Sequence, residues 1–245
     1  MKERLDVLLV SRGLAESREK AKTIIMAGDV FVKGQREDKA GSMFDVNAQI
    51  EVKGSTLKYV SRGGLKLEKA MEVYPIDLKG KVCMDIGSST GGFTDCMLQN
   101  GAKKVFAVDV GTNQLAWKLR SDPRVWVREN FNARYLKADD LPETPARAVT
   151  DVSFISLKLI LPPMVAVLGC GGEIVSLIKP QFEAGRGFAP GGVVADPAVR
   201  EQVVADISAF GRDELGLSLL GVVESPVRGR EKGNIEYLAW WRKGG

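Results

Sequence analysis

The chain has 245 residues and contains no histidine. Without an imidazole, nucleophilic mechanisms of the Ser-His-Asp and Cys-His types are excluded, and any acid–base step must fall to Lys, Asp, Glu or Tyr. Cysteine is also scarce, because only Cys83, Cys96 and Cys170 are present. These three lack the spacing of metal ligands and leave an odd thiol. We therefore expect reduced thiols and no metal site.

Long apolar runs are missing as well. No run approaches the roughly 20 residues that a helix needs to cross a bilayer. The first residues, 1–4, are followed by an interrupted apolar pattern, which is not typical of a signal peptide. Hydrophobic residues make up 44% and charged residues 27% of the chain, as in ordinary globular proteins. We expect a cytoplasmic location and no membrane partner, and the sequence leaves the oligomeric state open.

The formal net charge of +4 is concentrated at one end. Residues 1–70 hold 14 Lys and Arg against 10 Asp and Glu, and the remaining residues hold 21 against 21. A module that binds phosphate carries such an excess. Charge alone, however, is equally typical of a solvated surface.

Residues 1–58 show the pattern of a small α+β domain. Apolar residues recur at helical spacing over residues 4–10 and again over residues 18–25. Ser17 is a suitable N-cap for the second helix, and Gly13 and Gly28 follow the two helices as expected of helix stops. Alternation over residues 29–32 and 49–52 predicts two strands.

The second of these helices carries a basic face. Arg18 and Lys22 are four residues apart and share a face, which suits an RNA backbone but also a solvated surface. The stretch from Arg4-Leu5-Asp6 to Lys33-Gly34 resembles the αL RNA-binding motif of a small-subunit ribosomal protein, pseudouridine synthases and bacterial tyrosyl-tRNA synthetases. The resemblance implies binding of structured RNA through the helix pair. Our candidate RNA-binding residues are Arg4, Arg12, Arg18, Lys20, Lys22 and Arg62.

After a linker predicted at residues 54–62, strand and helix patterns alternate from Gly80 onward. Strands are predicted at 81–86, 104–110, 125–127, 148–152, 173–178, 217–223 and 235–241, and helices at 93–99, 113–119 and 197–215. This alternation predicts an α/β domain with a parallel, doubly wound sheet. We expect three segments: an RNA-binding domain over 1–58, a linker and start of the catalytic domain over 59–80, and the Rossmann-like sheet over 81–245.

The first strand of that sheet ends in a glycine-rich turn, Asp85-Ile86-Gly87-Ser88-Ser89-Thr90-Gly91-Gly92-Phe93. The turn lacks the G-x-G-x-x-G of dinucleotide sites, and its leading Asp85 would repel a pyrophosphate but suits a cationic ligand. The D-x-G-x-x-x-G pattern resembles the first motif of S-adenosylmethionine-dependent methyltransferases, with another α/β nucleotide site as the alternative. Asp109 ends the second strand, where an acidic residue can accept the hydroxyls of an adenosine ribose. Candidate cofactor-binding residues are Asp85, Gly87, Ser89, Thr90, Gly91, Gly92, Phe93, Asp109 and Asn132.

Four more motifs lie outside that loop, around Lys66, Asp151, Lys179 and Glu236. Asp151 and Lys179 follow predicted strands, at the sheet edge where sites form. The set resembles the Lys-Asp-Lys-Glu tetrad of the FtsJ-like ribose 2′-O-methyltransferases. Combined with the N-terminal motif, the chain resembles the TlyA family of ribosomal RNA 2′-O-methyltransferases, historically labelled hemolysins.

The resemblance implies methyl transfer from S-adenosylmethionine to a ribose 2′-hydroxyl, that of cytidine, with ribosomal RNA or ribosomal subunits as partner. Lysine has an ordinary pKa of about 10.4, which burial and a neighbouring like charge both lower. We expect Lys66 and Lys179 to lie side by side, so that one amine is neutral, with Lys179 as the base. Asp151 and Glu236 would hold the lysines while Lys66 orients the hydroxyl or a phosphate, in an in-line displacement driven by positioning.

Two other function classes are considered. One is a non-catalytic RNA-binding or ribosome assembly factor, against which the intact loop and tetrad argue. The other is a membrane-active hemolysin, which would need an apolar span, an amphipathic lipid-binding helix or a barrel pattern. The sequence shows none of these patterns.

Overall fold

The computed structural model describes residues 2–15, 17–26, 28–52, 58–229 and 233–244. The chain forms two compact units, Met1–Lys58 and Tyr59–Gly245. Of the linker predicted over 54–62, residues 54–57 lie outside the described residues. Residues 59–62 belong to the second unit, where Tyr59 is buried and donates its hydroxyl hydrogen to Glu68 across 3.0 Å.

The first unit is a small α+β arrangement. Its elements are β1 (Lys2–Arg4), α1 (Leu5–Ser11), α2 (Arg18–Met26), β2 (Val30–Val32), β3 (Gln35–Glu37), β4 (Met43–Asp45) and β5 (Ile50–Val52). β1 pairs with β4, and β2 lies between β3 and β5. The sequence pattern did not predict β1, β3 or β4, because three residues are too few to show an apolar alternation, and β1 and β3 contain only polar residues.

Both predicted helices of this unit are present, with the predicted ends. Ser17 Oγ accepts the backbone N–H of Lys20 at 3.2 Å, as an N-cap does. Gly28 has a φ of 75° and donates its N–H to the carbonyl of Ile25 at 2.8 Å, which closes α2. Leu5, Leu9, Ala21, Ile24, Ile25, Val30, Val32 and Ala48 form the core beneath the helices.

The second unit is built on a seven-stranded sheet with the order β11-β12-β10-β9-β6-β7-β8. Its strands are β6 (Val82–Ile86), β7 (Lys104–Val108), β8 (Val125–Arg128), β9 (Arg147–Thr150), β10 (Glu173–Ile178), β11 (Leu217–Glu224) and β12 (Tyr237–Lys243). Its α-helices are α3 (Gly63–Val73), α4 (Gly92–Gln99), α5 (Trp117–Arg120), α6 (Leu157–Val167), α7 (Pro180–Glu183) and α8 (Pro197–Asp213). Short 3₁₀ turns lie at Ala133–Tyr135, Ala138–Asp140, Arg186–Phe188 and Pro190–Gly192.

The predicted α/β doubly wound fold is confirmed, but the sheet is not parallel throughout. β6 to β10 run parallel, whereas β12 pairs antiparallel with both β10 and β11. The connection over residues 225–236 carries Pro226, Gly229 and Gly233 and lacks the apolar period of a crossover helix. An antiparallel pair is the arrangement that such a connection allows.

Three helices of this unit, α3, α6 and the four-residue α7, were not predicted. α3 begins with two glycines, and α6 contains Pro162 and Pro163 in its interior. Both residue types disfavour a helix, yet burial of one face of each helix outweighs this local preference. Conversely, the helix predicted over 113–119 is confined to Trp117–Arg120.

The sheet is covered on both faces, which explains its continuous apolar strands. Neighbouring residues of a strand enter opposite clusters, as the pairs Cys83 and Met84, Val105 and Phe106, and Trp240 and Trp241 do. Across the described ranges, no helix is both long enough and apolar enough to span a bilayer.

Candidate active site

The four candidate catalytic residues meet at one edge of the seven-stranded sheet. Asp151 and Lys179 directly follow β9 and β10, at the carboxyl ends of parallel strands. Glu236 directly precedes β12, and because β12 is antiparallel to β10, its beginning lies at that same edge, with Tyr237 paired to Ile178. Lys66 reaches this place from the first turns of α3.

Their charged groups form one continuous chain of ion pairs. Asp151 places Oδ2 at 2.9 Å from Nζ of Lys66 and Oδ1 at 2.6 Å from Nζ of Lys179. Nζ of Lys66 lies 3.0 Å from Oε2 of Glu236. Two lysine side chains and two acidic side chains therefore alternate in the order Glu236, Lys66, Asp151 and Lys179.

Ion pairing outweighs burial in setting the pKa of Lys66 and of Asp151. Lys66 and Lys179 are 8% and 7% exposed, and Glu236 is 2% exposed. Burial lowers the pKa of Lys66, but the attraction of Asp151 and Glu236 outweighs it, so that the pKa is raised overall. Likewise, burial raises the pKa of Asp151, and the two lysines more than reverse this, so that its pKa is lowered. Lys66 is therefore the lysine that its neighbours favour as an ammonium, and the expectation that the other amine is neutral stays a prediction.

Two further side chains form hydrogen bonds with the two ends of this series of ion pairs. Ser153 Oγ accepts a hydrogen bond from Nζ of Lys179 at 2.8 Å. At the other end, Gln181 donates its Nε2 hydrogen to Oε1 of Glu236 at 3.2 Å. Both residues lie two positions after a tetrad member, which is the only signal by which sequence reasoning could have found them.

The loop between β9 and α6 is held by hydrogen bonds to Glu183, the last residue of α7. Glu183 accepts the hydroxyl hydrogen of Ser156 at 2.6 Å and the backbone N–H of Leu157 at 2.8 Å. A carboxylate in this place caps the N-terminus of α6. Glu183 thus braces the loop that carries Asp151 and Ser153.

The same loop exposes a large aromatic ring that sequence reasoning missed. Phe154 is 82% exposed and has a φ of 62°. Its ring centroid lies 5.0 Å from that of Phe182. A bulky residue at positive φ is strained, and such strain clusters at functional sites.

Asp85, the first candidate cofactor residue, is a buried carboxylate inside β6. Its Oδ2 accepts the hydroxyl hydrogen of Thr94 at 2.6 Å, while Oδ1 is buried and has no protein partner among the described residues. Burial is the main cause that raises the pKa of Asp85 to about 7. A cationic ligand group would satisfy the unpaired oxygen and its charge, so the site fits an ammonium-bearing molecule.

The glycines of the adjoining turn serve close packing of the protein itself. A Cβ on Gly91 would collide with Leu119, and one on Gly92 would collide with Ser61 and approach Gly64 N to 2.8 Å. A Cβ on Gly87 would lie 3.1 Å from the carbonyl oxygen of Asp151. At these three glycines, protein atoms occupy the space that a Cβ would fill. Because Gly92 has no side chain, the start of α3, the helix that carries Lys66, can pack closely on the start of α4.

The remaining candidate cofactor residues differ in surroundings. Asp109 joins two loops, because Oδ2 accepts the N–H of Ser89 and Oδ1 that of Gly111, each at 2.7 Å. Asn132 is exposed, and its Oδ1 accepts the N–H of Arg134 at 3.1 Å. The side chain of Phe93 belongs to the buried core, whereas Ser89 and Thr90 are exposed.

In the first unit, a buried acid organises two candidate RNA-binding arginines. Asp6 is fully buried and pairs with Arg4 at 3.0 Å and Arg18 at 3.0 Å. The hydrogen bond from Arg4 is the largest cause that lowers the pKa of Asp6 to about 2, with Arg18 adding to it against burial. The two arginine side chains are still 47% and 56% exposed.

The other candidate RNA-binding residues differ in their exposure and in their hydrogen bonds. Arg12 donates hydrogen bonds to the backbone carbonyls of Val46 and Ala48, so its guanidinium supports the loop before β5. Lys22 is exposed and Lys20 is half-buried. Arg62 is exposed in the second unit, where it precedes α3.

The family described as FtsJ-like methyltransferase matches residues 59–243. This range contains the whole seven-stranded sheet and the four charged residues. The chain belongs to the FtsJ-like methyltransferase family. An S4 domain matches residues 3–50, which covers the helix pair predicted to bind RNA.

Individual relatives agree with this assignment. YqxC of Bacillus subtilis is 54% identical over 239 residues, which cover 97% of this FtsJ-like methyltransferase and 84% of YqxC. The "16S/23S rRNA (cytidine-2'-O)-methyltransferase TlyA" of Mycobacterium tuberculosis is 45% identical over 241 residues, covering 98% of this chain and 89% of that protein. A solved Streptococcus thermophilus protein with a hemolysin name has a TM-score of 0.79 and 50% identity, covering 99% and 89% of the two chains. The predicted membership of the TlyA family is confirmed.

Proposed function

We propose that this methyltransferase transfers a methyl group from S-adenosylmethionine to the ribose 2′-hydroxyl of a cytidine in ribosomal RNA. The observation that carries the proposal is the buried ion-pair chain of Glu236, Lys66, Asp151 and Lys179 at the carboxyl edge of the sheet. The relative named as a TlyA rRNA methyltransferase, similar over nearly the whole chain, supports the choice of substrate. The reaction would take place in the cytoplasm on ribosomal RNA or ribosomal subunits.

The donor would be held by the carboxylates that end the first two strands. Asp85 offers a buried, unpaired Oδ1 to an ammonium group. Each oxygen of Asp109 accepts one backbone N–H and so keeps a lone pair for a ribose hydroxyl. Ser89, Thr90 and Asn132 would line the rest of the site, and the backbone of Gly87, Gly91, Gly92 and Phe93 would shape it. When bound, S-adenosylmethionine supplies a methyl group on a positively charged sulfur.

Lys179 is the better placed of the two lysines to accept a proton. Lys66 lies between two carboxylates that raise its pKa, so it stays an ammonium and donates to the substrate oxygen or an adjacent phosphate. Lys179 forms an ion pair with one carboxylate only among the described residues, that of Asp151, which it shares with Lys66. In our proposal, Nζ of Lys179 takes the proton of the 2′-hydroxyl as the new O–C bond forms, and Asp151 keeps both lysines in place.

The RNA would be bound by both units. The exposed guanidinium groups of Arg4 and Arg18, together with Lys22, offer contacts to phosphate. The exposed ring of Phe154 follows the tetrad member Asp151 by three residues and offers a flat apolar face. A nucleotide that an enzyme takes out of the stack can stack on an aromatic side chain instead.

The test is methyl transfer from labelled S-adenosylmethionine to ribosomal RNA by wild type, Lys179→Ala and the control Lys158→Ala, whose side chain is exposed on α6. We expect Lys179→Ala to lose about 10²- to 10⁴-fold in rate with donor affinity unchanged by calorimetry, and Lys158→Ala to keep the wild-type rate. Full activity of Lys179→Ala would remove that residue from the base role. Wild-type protein that binds ribosomal RNA but transfers no methyl group would instead support an assembly factor.

A further inference from the structure

We infer that Ser153 is a positioning residue that directs the lone pair of Lys179 toward the substrate. The inference rests on the proposed function. Ser153 Oγ lies 2.8 Å from Nζ of Lys179, and the serine itself is not a member of the tetrad. Lys179 is 7% exposed, whereas Ser153 is exposed. The serine hydroxyl therefore lies on the solvent side of the buried amine.

The geometry of a neutral amine gives the serine its effect. Such an amine has two N–H bonds and one lone pair in a roughly tetrahedral arrangement. Asp151 Oδ1 accepts one N–H at 2.6 Å and Ser153 Oγ accepts the other at 2.8 Å. The lone pair is then confined to the remaining direction. Without Ser153, rotation about the Cε–Nζ bond would leave the lone pair without a fixed direction, and general-base catalysis depends on that geometry.

A comparison of the two lysines shows why the serine must be neutral. Each lysine has two hydrogen-bond partners, and they share Asp151. The second partner of Lys66 is the carboxylate of Glu236, which stabilises the ammonium form. The second partner of Lys179 is an uncharged hydroxyl, which orients the nitrogen without adding a negative charge. This difference assigns the base role to Lys179 and the cationic role to Lys66.

The experiment compares single-turnover rates of Ser153→Ala, Ser153→Thr and the control Ser156→Ala. The control removes a hydroxyl of the same loop that bonds the carboxylate of Glu183 and the backbone N–H of Lys158, and no lysine side chain. We expect Ser153→Ala to lose about tenfold or more in rate, a part of the general-base contribution. Dissociation constants for S-adenosylhomocysteine and ribosomal RNA, and the melting temperature, should stay at wild-type values. Ser153→Thr, which keeps the hydroxyl, should recover most of the rate.

A second comparison separates positioning from a structural role. Ser153→Ala is combined with Lys179→Ala, and the residual rate is measured. If the serine acts through the lysine, the double variant should be no slower than Lys179→Ala alone. An additive loss, a wild-type rate of Ser153→Ala, or a failure of Ser153→Thr to recover would each overturn the inference. Absence of methyl transfer by wild type, or full activity of Lys179→Ala, would instead overturn the proposed function.

Discussion

Nζ of Lys66 lies 3.0 Å from Oε2 of Glu236, although 170 positions separate the two residues in the chain. The contact joins the first turns of α3 to the segment before the last strand. Both side chains are nearly buried, where an unpaired charge is costly. The pair therefore links the stability of the second unit to the charge state of the lysine that lies beside the proposed base.

This pairing predicts a loss and a recovery of stability. Lys66→Met leaves the carboxylates of Glu236 and Asp151 with one cation fewer, and breaking a buried pair in this way costs about 3–5 kcal/mol. In the double variant Lys66→Met with Glu236→Gln, the glutamine can still accept the hydrogen bond from Gln181. Chemical denaturation should show most of the free energy of unfolding restored, while methyl transfer stays absent. A double variant as unstable as Lys66→Met would contradict the electrostatic explanation.

Asp85 predicts opposite effects on stability and on donor binding. Its pKa is raised from 3.8 to about 7 in the folded state. Between pH 3.8 and pH 7, the folded state therefore binds more protons than the unfolded state, and the free energy of unfolding falls as pH rises through this range. Asp85→Asn should therefore raise the free energy of unfolding at pH 8, by up to about 4 kcal/mol, and have little effect at pH 4. Denaturation curves at the two pH values check this.

The same residue predicts a pH dependence of donor affinity. A cationic ligand favours the ionised carboxylate, so wild-type affinity for S-adenosylmethionine should weaken as pH falls through about 7. Calorimetric titration of Asp85→Asn should show weaker binding at pH 8 and a flat pH profile. Equal affinities of the variant and wild type at pH 8 would exclude Asp85 from the donor site.

The basic face of the first unit predicts a change in salt dependence. Replacing Arg18 and Lys22 by glutamine should weaken binding to ribosomal RNA. The slope of log affinity against log salt should become shallower by somewhat less than one for each phosphate that the variant no longer neutralises. The matched control replaces Lys79 and Lys103, two exposed lysines before β6 and β7 at the opposite sheet edge from the tetrad. An unchanged slope for the first pair would mean that the helix face is only solvated.

Phe154 predicts a loss of RNA binding without a loss of stability. The ring is mostly exposed and its backbone has a positive φ, so Phe154→Gly should fold at least as stably as wild type. Stacking of one base contributes about 1–3 kcal/mol, which corresponds to a rise of roughly 5- to 150-fold in KM for RNA. Phe154→Trp should keep the wild-type KM. A glycine variant with unchanged KM would show that no base stacks there.

The predictions from sequence succeeded where a local pattern is strong. Buried strands such as Glu173–Ile178 are mostly apolar. Ser17 and Gly28 mark the two ends of α2, and both residue types suit helix ends. Prediction failed for α3 and α6, whose glycines and prolines disfavour a helix locally while tertiary packing stabilises it. The reversed direction of β12 was missed because strand direction depends on the connection and not on the strand.

The sequence by itself determined which residues are candidates for the chemistry: with histidine absent, acid–base work passed to Lys, Asp, Glu or Tyr, and the motifs around Lys66, Asp151, Lys179 and Glu236 supplied the candidates. Only the tertiary structure decided which of these candidates pair with one another. The pKa of Lys66 is raised by carboxylates 85 and 170 positions away, and no local pattern contains that information. A lysine's charge depends on its burial and on the groups that the fold brings to it, so the division of roles between the two lysines is a property of the folded chain.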